Sequence, residues 1–252
     1  MSYRDLTVGA YAKFQDLIAC ETTPPPVPFL EQAHREHPHD LRYDWQERDF
    51  RRELINSFNE YAVYVWRLTL WEKVLRDYGD EEVIELRMEF TSLPFEYCLS
   101  APYKFKSRVI FCATQLCYTQ ALADKLVLAA SLHPDEKIDI NSLEGAAKHW
   151  LSGPRLVKAL RDVDAPQYRS ATGNYRNKSQ HRHPQRLDHG LTASAVRTFS
   201  PTGSVNYVLC QSAPLAAREV LPVLATEADF MKTAFLSYCH LVEEQTAIKN
   251  ET

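Results

Sequence analysis

The chain has 252 residues, 45% of them hydrophobic, and carries 29 Lys and Arg against 33 Asp and Glu for a net charge of −4. That length buries a full core in one large domain, and with only 7 glycines and no G-x-G-x-x-G or G-x-x-x-x-G-K-[ST] run it excludes a turn-dense β protein and a glycine-loop nucleotide fold. The apolar runs are too short to span a bilayer and Met1 to Asp5 opens no signal-type segment, so a cytoplasmic protein without membrane contact is expected. Six cysteines (Cys20, Cys98, Cys112, Cys117, Cys210, Cys239) form no C-x-x-C pair, and read as reduced, mostly buried small hydrophobes.

Along the chain the expected class is mostly α, a helical bundle with a small β-hairpin insertion. Residues 1–44 read as an N-terminal extension: a short amphipathic stretch, the stiff connector of residues 22–28 (Thr-Thr-Pro-Pro-Pro-Val-Pro), then mixed charge from Glu31. Residues 45–252 read as the helical domain. From Trp45 to Tyr78 the apolar positions Phe50, Leu54, Phe58, Tyr61, Val65, Leu68 and Leu75 keep helical spacing and stop at Gly79. A second long helix, predicted from Tyr103 to Leu132, is apolar on several faces and is expected to be the most buried. Asn141-Ser142-Leu143-Glu144 resembles a capping box for a helix ending near Gly153-Pro154, and Leu156 to Val163 forms a short one. Pro166 fits a first helical turn, and the helix it begins runs toward residues 176–181 before Pro184, with Gly173 weakening it. Ala195 to Phe199 and Val205 to Gln211 bracket Ser200-Pro201-Thr202-Gly203 as a hairpin. Thr226 to Asp229 starts a last helix through Thr246 with Phe230, Ala234, Tyr238 and Leu241 on one face.

Chemistry concentrates in one place. Between Pro166 and Gly190 lie Arg169, Arg176, Lys178, Arg182 and Arg186 against the single acid Asp188. A cation-rich segment on an acidic chain implies an anionic partner, and with Tyr168 and Tyr175 nearby it suits a phosphate backbone with unstacked bases. Arg176-Asn177-x-x-x-His181 pairs a permanent cation with a base titrating near neutrality, the equipment for binding a phosphodiester and moving a proton beside it. On a helix, positions 177 and 181 share a face, so the amide can orient the imidazole. Arg176 reaches the same phosphate by curling round the helix, or meets the matching His of a second subunit across a two-fold axis. Arg176 to His183 and Arg182 to His189 share the looser spacing of four to six residues between Arg and His.

The Arg176-Asn177-x-x-x-His181 run resembles the signature of HEPN domains, all-helical bundles in which Arg, a polar residue after it and a His form an RNA-cleaving site. The resemblance covers this hexapeptide and the helical order from Trp45 to Thr246; the hairpin is an addition to the minimal bundle. It implies a metal-independent endoribonuclease cleaving single-stranded RNA, with no cofactor. In it, His181 is general base or acid, Arg176 stabilises the phosphoryl oxygens, Asn177 positions one of them, and the product is a 2′,3′-cyclic phosphate. Arg169, Tyr175, Lys178, Arg182 and Arg186 would bind the RNA. It further implies a homodimer with two motifs face to face and, by analogy, a defence or stress role with an antitoxin or defence partner.

Other readings stay open beside it: a non-catalytic HEPN-like module that binds RNA or serves as a scaffold, an ordinary polar network at a helix end, or a metal site from His181, His183 and His189, which lacks a carboxylate or thiol partner beyond Asp188. His34, His37 and His39 read as solvated loop residues, and Tyr61, Tyr64, Trp66 and Trp71 as core and interface packing.

Overall fold

The computed structural model describes residues 2–24, 26–27, 41–129, 132–181, 185–190, 192–200 and 203–247. Within them the chain is mostly helical, with one small antiparallel hairpin. In order come α1 (Tyr3–Cys20), α2 (Leu41–Leu75), α3 (Asp80–Leu86), a π-helical turn (Arg87–Thr91), α4 (Ser92–Ala123), a short 3-10 turn (Asp135–Lys137), α5 (Ile140–Ala147), α6 (Gly153–Asp162), α7 (Pro166–Ala171), α8 (Tyr175–His181), β1 (Thr192–Phe199), β2 (Val205–Ser212) and α9 (Ala217–Ala247). His34, His37 and His39, Arg182 and His183 lie outside the described residues, as does the side chain of His181.

Beside shifted ends (α2 begins at Leu41, α5 ends at Ala147, and the helix expected from Pro166 toward 181 is split into α7 and α8), three differences from the sequence expectation stand out, two of them in helices that contain proline. The helix expected from Tyr103 to Leu132 is α4, which begins at Ser92, passes through Pro102 and ends at Ala123. Likewise α9 begins at Ala217 and continues through Pro222. A proline inside a helix deletes one amide donor and frees the carbonyl four residues earlier; for Pro102 that carbonyl is Cys98 O, which accepts from Tyr168 Oη at 3.3 Å. The third difference is the cap of α5: Asp139, not Asn141, is the N-cap, accepting from Ser142 N at 2.8 Å.

The chain forms two compact units. The first takes Met1–Thr23, Tyr64–Ser100 and Pro166–Ala225, the second Pro24–Val63, Ala101–Ala165 and Thr226–Thr252, so α2, α4 and α9 each give a part to both. In the first unit, α1 starts where Ser2 Oγ accepts from Asp5 N, and its apolar residues recur one turn apart. Leu6, Ala10 and Phe14 therefore form one stripe, which packs on Leu70, Trp71, Val74 and Leu75 of α2 and Leu86 of α3. The Trp71 ring is stacked between Phe14 and Phe90, each with centroids 4.5 Å away. Lys13 with Asp77 at 2.8 Å and Tyr3 Oη donating to Glu89 at 2.8 Å fasten the same helix at its surface. Thus α1, set apart in the sequence reading, supplies core to this unit.

In the second unit the buried faces of α2 (Leu54, Phe58, Tyr61), α4 (Phe105, Val109, Leu116) and α9 (Ala234, Tyr238, Leu241) make the core, with Leu143 of α5 and Leu156 and Leu160 of α6 beside them. Polar groups inside it are tied together: Tyr43 Oη donates to Gln245 at 2.6 Å, Gln245 Nε2 donates to Cys117 Sγ at 3.3 Å, and Glu47 pairs with Arg51 one turn away. Glu244 receives the amides of Leu151 and Ser152 at 2.6 and 2.7 Å, holding the entry to α6. Cys98, Cys112 and Cys117 are buried and free, and burial pushes the thiols of Cys112 and Cys117 up to about 12. Among the described residues no helix is long and apolar enough to cross a membrane.

Glu227 is buried beside Asp164, whose amide donates to Glu227 Oε1 at 2.6 Å. Burial pushes the Glu227 carboxyl from 4.5 up to about 7; the Asp164 amide and the Lys106 ammonium oppose the rise, and the Asp164 charge adds to it. A carboxyl whose folded value is raised binds its proton more tightly in the native state. Its stabilising contribution is complete below pH 4.5 and is lost as pH climbs through 7.

Two outcomes are expected. Trp71→Ala leaves the space between two aromatic rings empty and costs about 3–5 kcal/mol in urea denaturation followed by circular dichroism. Glu227→Gln, neutral at every pH, gains in urea midpoint over the unaltered chain as pH is raised from 4.5 to 7; a constant difference would contradict the assignment.

Candidate functional site

The Arg-Asn-x-x-x-His run folds as α8, and three features of the first unit fix that short helix. Tyr168 of α7 donates to Cys98 O, the carbonyl of α4 freed by Pro102, and to Leu99 O, at 3.3 and 3.2 Å. Tyr175, first residue of α8, is 7% exposed and hydrogen-bonded to Glu96 of α4. Its phenol is pushed up to about 12, by burial first and then by the Glu96 carboxylate. Both tyrosines are therefore anchors of the α7–α8 segment on α4, and neither offers an open ring face to a base.

Between the two helices the chain reverses through Gly173 (φ 59°) and Asn174 (φ 55°), both left-handed. Gly173 is required there twice over. The φ excludes most side chains, and a Cβ would collide with the Gln185 side chain. Gln185 in turn accepts from Lys178 Nζ at 3.4 Å and donates to Ala213 O at 2.9 Å, linking α8 to the strand exit of β2.

On this frame Arg169 and Asn177 are exposed, and Arg176 and Lys178 are half-buried. Positions 177 and 181 are one helical turn apart on α8. Arg186 is exposed and lines a cleft of about 520 Å³ together with Tyr175, Glu96, Arg87 and His189. The cleft brings together two of the sequence-derived residues, Tyr175 and Arg186; Arg176, Asn177 and Lys178 do not line it. His189, whose spacing from Arg182 fits the looser Arg–His pattern, has an enclosed Nε2 without a hydrogen-bond partner among the described residues.

Behind the cleft is an ion cluster that no local pattern announces. Arg87, first residue of the π-helical turn, is buried, and its guanidinium meets both oxygens of Glu72 at 2.5 and 3.1 Å and Asp188 Oδ2 at 2.9 Å. The other Asp188 oxygen accepts from Ala217 N at 2.8 Å, at the first residue of α9. Asp188 holds φ 52° and its amide donates to Leu215 O at 2.8 Å, while Leu215 N donates to Arg186 O at 2.8 Å. The single acid of the basic segment is thus consumed as a structural clamp. Its isolation among cations was the one signal in the sequence; Glu72, Arg87 and Glu96 gave none.

Among the described residues no three His, Cys, Asp or Glu side chains are grouped to hold a metal ion. No family model, no curated protein and no solved structure matches the chain. Removing the guanidinium by Arg87→Ala leaves two carboxylates facing each other in a largely dry site. It is expected to cost about 3–5 kcal/mol, read as a lowered urea midpoint.

Proposed function

We propose that the protein is a metal-independent endoribonuclease acting on single-stranded RNA, with Arg176, Asn177 and His181 as its reactive group. The observation that carries this reading is one of charge and placement: an Arg-Asn-x-x-x-His run on a helix anchored by two buried tyrosines, in a stretch from 165 to 218 that holds seven Lys and Arg and one acid, the acid being locked to Arg87. The exposed Arg169 and Arg186, with Lys178 and Arg182, track the phosphate backbone.

The chemistry needs no group beyond the chain and the RNA. A ribose 2′-hydroxyl loses its proton to a base, its oxygen bonds to the adjacent phosphorus, and the bond from phosphorus to the 5′-oxygen breaks as that oxygen takes a proton. The products are a 2′,3′-cyclic phosphate and a 5′-hydroxyl. His181 exchanges the proton, Arg176 neutralises charge growing on the phosphoryl oxygens, and Asn177 orients one of them. A homodimer that sets two α8 segments against one phosphate belongs to the same reading.

The test is cleavage of a 5′-labelled oligouridylate in EDTA. Expected are fragments ending in 2′,3′-cyclic phosphate, with the all-deoxy oligonucleotide bound and uncut because the nucleophile is missing. His181→Ala is expected to slow cleavage by about 10²- to 10⁴-fold with Kd for RNA unchanged. Binding without cleavage by the unaltered chain would refute the enzyme reading and leave an RNA-binding module.

A further inference from the structure

The hairpin raises a separate question, because its chemistry is out of keeping with its position. β1 and β2 pair antiparallel with Phe199 opposite Val205, Arg197 opposite Tyr207 and Ala195 opposite Leu209. Cross-strand partners and alternate residues share a face, so Arg197, Phe199, Val205, Tyr207 and Leu209 all project to one side. That side lies open: Phe199 is 70%, Tyr207 65%, Leu209 80% and Val205 49% exposed, and Arg197 is exposed as well. On the reverse, Thr198, Asn206 and Val208 are also exposed. A lone two-stranded ribbon is marginal in water, and an apolar stripe on one marks a surface built to be covered.

We propose that this face is a stacking platform for the bases of single-stranded RNA. The inference rests on the RNA reading of α8 and extends it to a second binding surface. Three observations select this occupant. First, Tyr207 and Phe199 are diagonal neighbours on one face with Arg197 beside both, an arrangement in which two bases stack on rings while a guanidinium serves a phosphate or a third base plane. Second, no Asp or Glu occurs from 189 to 218, in a chain with 33 of them, so nothing on the ribbon repels a polyanion. A second copy of the chain, by contrast, would offer Arg197 no carboxylate on a matching ribbon, and burying it there would strand its charge. Third, the ribbon rises from the rim of the cleft that Arg186 lines. Leu215, just after β2, is bonded to Arg186 and Asp188, and Gln185 ties Ala213 to α8. An RNA strand lying on Arg186 therefore continues onto the hairpin, which makes the ribbon an extension of the substrate path.

The experiment uses the full chain, a fluorescein-labelled 12-nucleotide oligouridylate and an oligoadenylate–oligouridylate duplex, with fluorescence anisotropy for affinity and sedimentation velocity for assembly. Phe199→Ala with Tyr207→Ala, both surface positions, is expected to weaken binding of the single strand about tenfold or more while leaving the duplex unchanged. The double replacement by Trp is expected to preserve it. Arg197→Ala is expected to lower the slope of log affinity against log salt by about 0.7. Unchanged single-strand affinity in the double alanine variant, with the unaltered chain binding normally, overturns this inference alone. A fall from dimer to monomer at constant affinity per protomer also overturns it and assigns the face to a second copy. Failure of the unaltered chain to bind the oligouridylate at all overturns both this inference and the ribonuclease reading.

Discussion

The guanidinium of Arg87 is the point on which the first unit turns. It joins Glu72 of α2 to Asp188 of the loop before the hairpin, and through Asp188 it reaches the opening amide of α9. Each charge alone would be costly in so dry a place; together they satisfy one another, and the loss of any member strands the rest. The geometry of the cleft follows, since Arg186 and His189 flank Asp188 in the chain and can sit only where that clamp holds them.

The core of the second unit is apolar with the Tyr43–Gln245–Cys117 hydrogen bonds and the buried Glu47–Arg51 pair inside it, and Glu227, pushed up to about 7, is poised between protonated and charged forms near neutrality. Both units pair an apolar core with a buried ion pair, and in the unit that carries α8 that pair joins three elements. In the first unit the one acid between 165 and 218, Asp188, is held by Arg87 and the opening amide of α9.

How much of this was readable in the linear sequence depended on how local its cause was. The phase of α2 was plain because Leu54, Phe58, Tyr61, Val65 and Leu68 repeat at helical spacing, and the hairpin was plain from two β-prone runs around Gly203. The starts of α4 and α9 were not: both helices run through a proline, and the carbonyl that Pro102 frees is taken by a tyrosine from another helix, which no local pattern announces. The motif on α8 was legible as chemistry. The burial of Tyr175 was not: an aromatic ring beside cations looks the same whether it stacks on a base or anchors a helix, and only Glu96 of α4 decides between them. The Arg87 cluster was invisible because its members are brought together by topology and not by spacing.

The π-helical turn from Arg87 to Thr91 sets the rotational phase of everything that follows it. α3 and α4 run on through this turn without a break, and its i→i+5 bonding accommodates one residue more than an α-helical path would. Each residue advances an α-helix by about 100°, and the wide turn absorbs one such advance, so deleting a single residue from it would let the path become regular while Phe95, Cys98 and Leu99 keep their buried bearing. The turn is thus the place on the continuous path from α3 to α4 where one residue can be lost without re-aiming the buried face, whereas the same loss in the regular turns of α3 would rotate it.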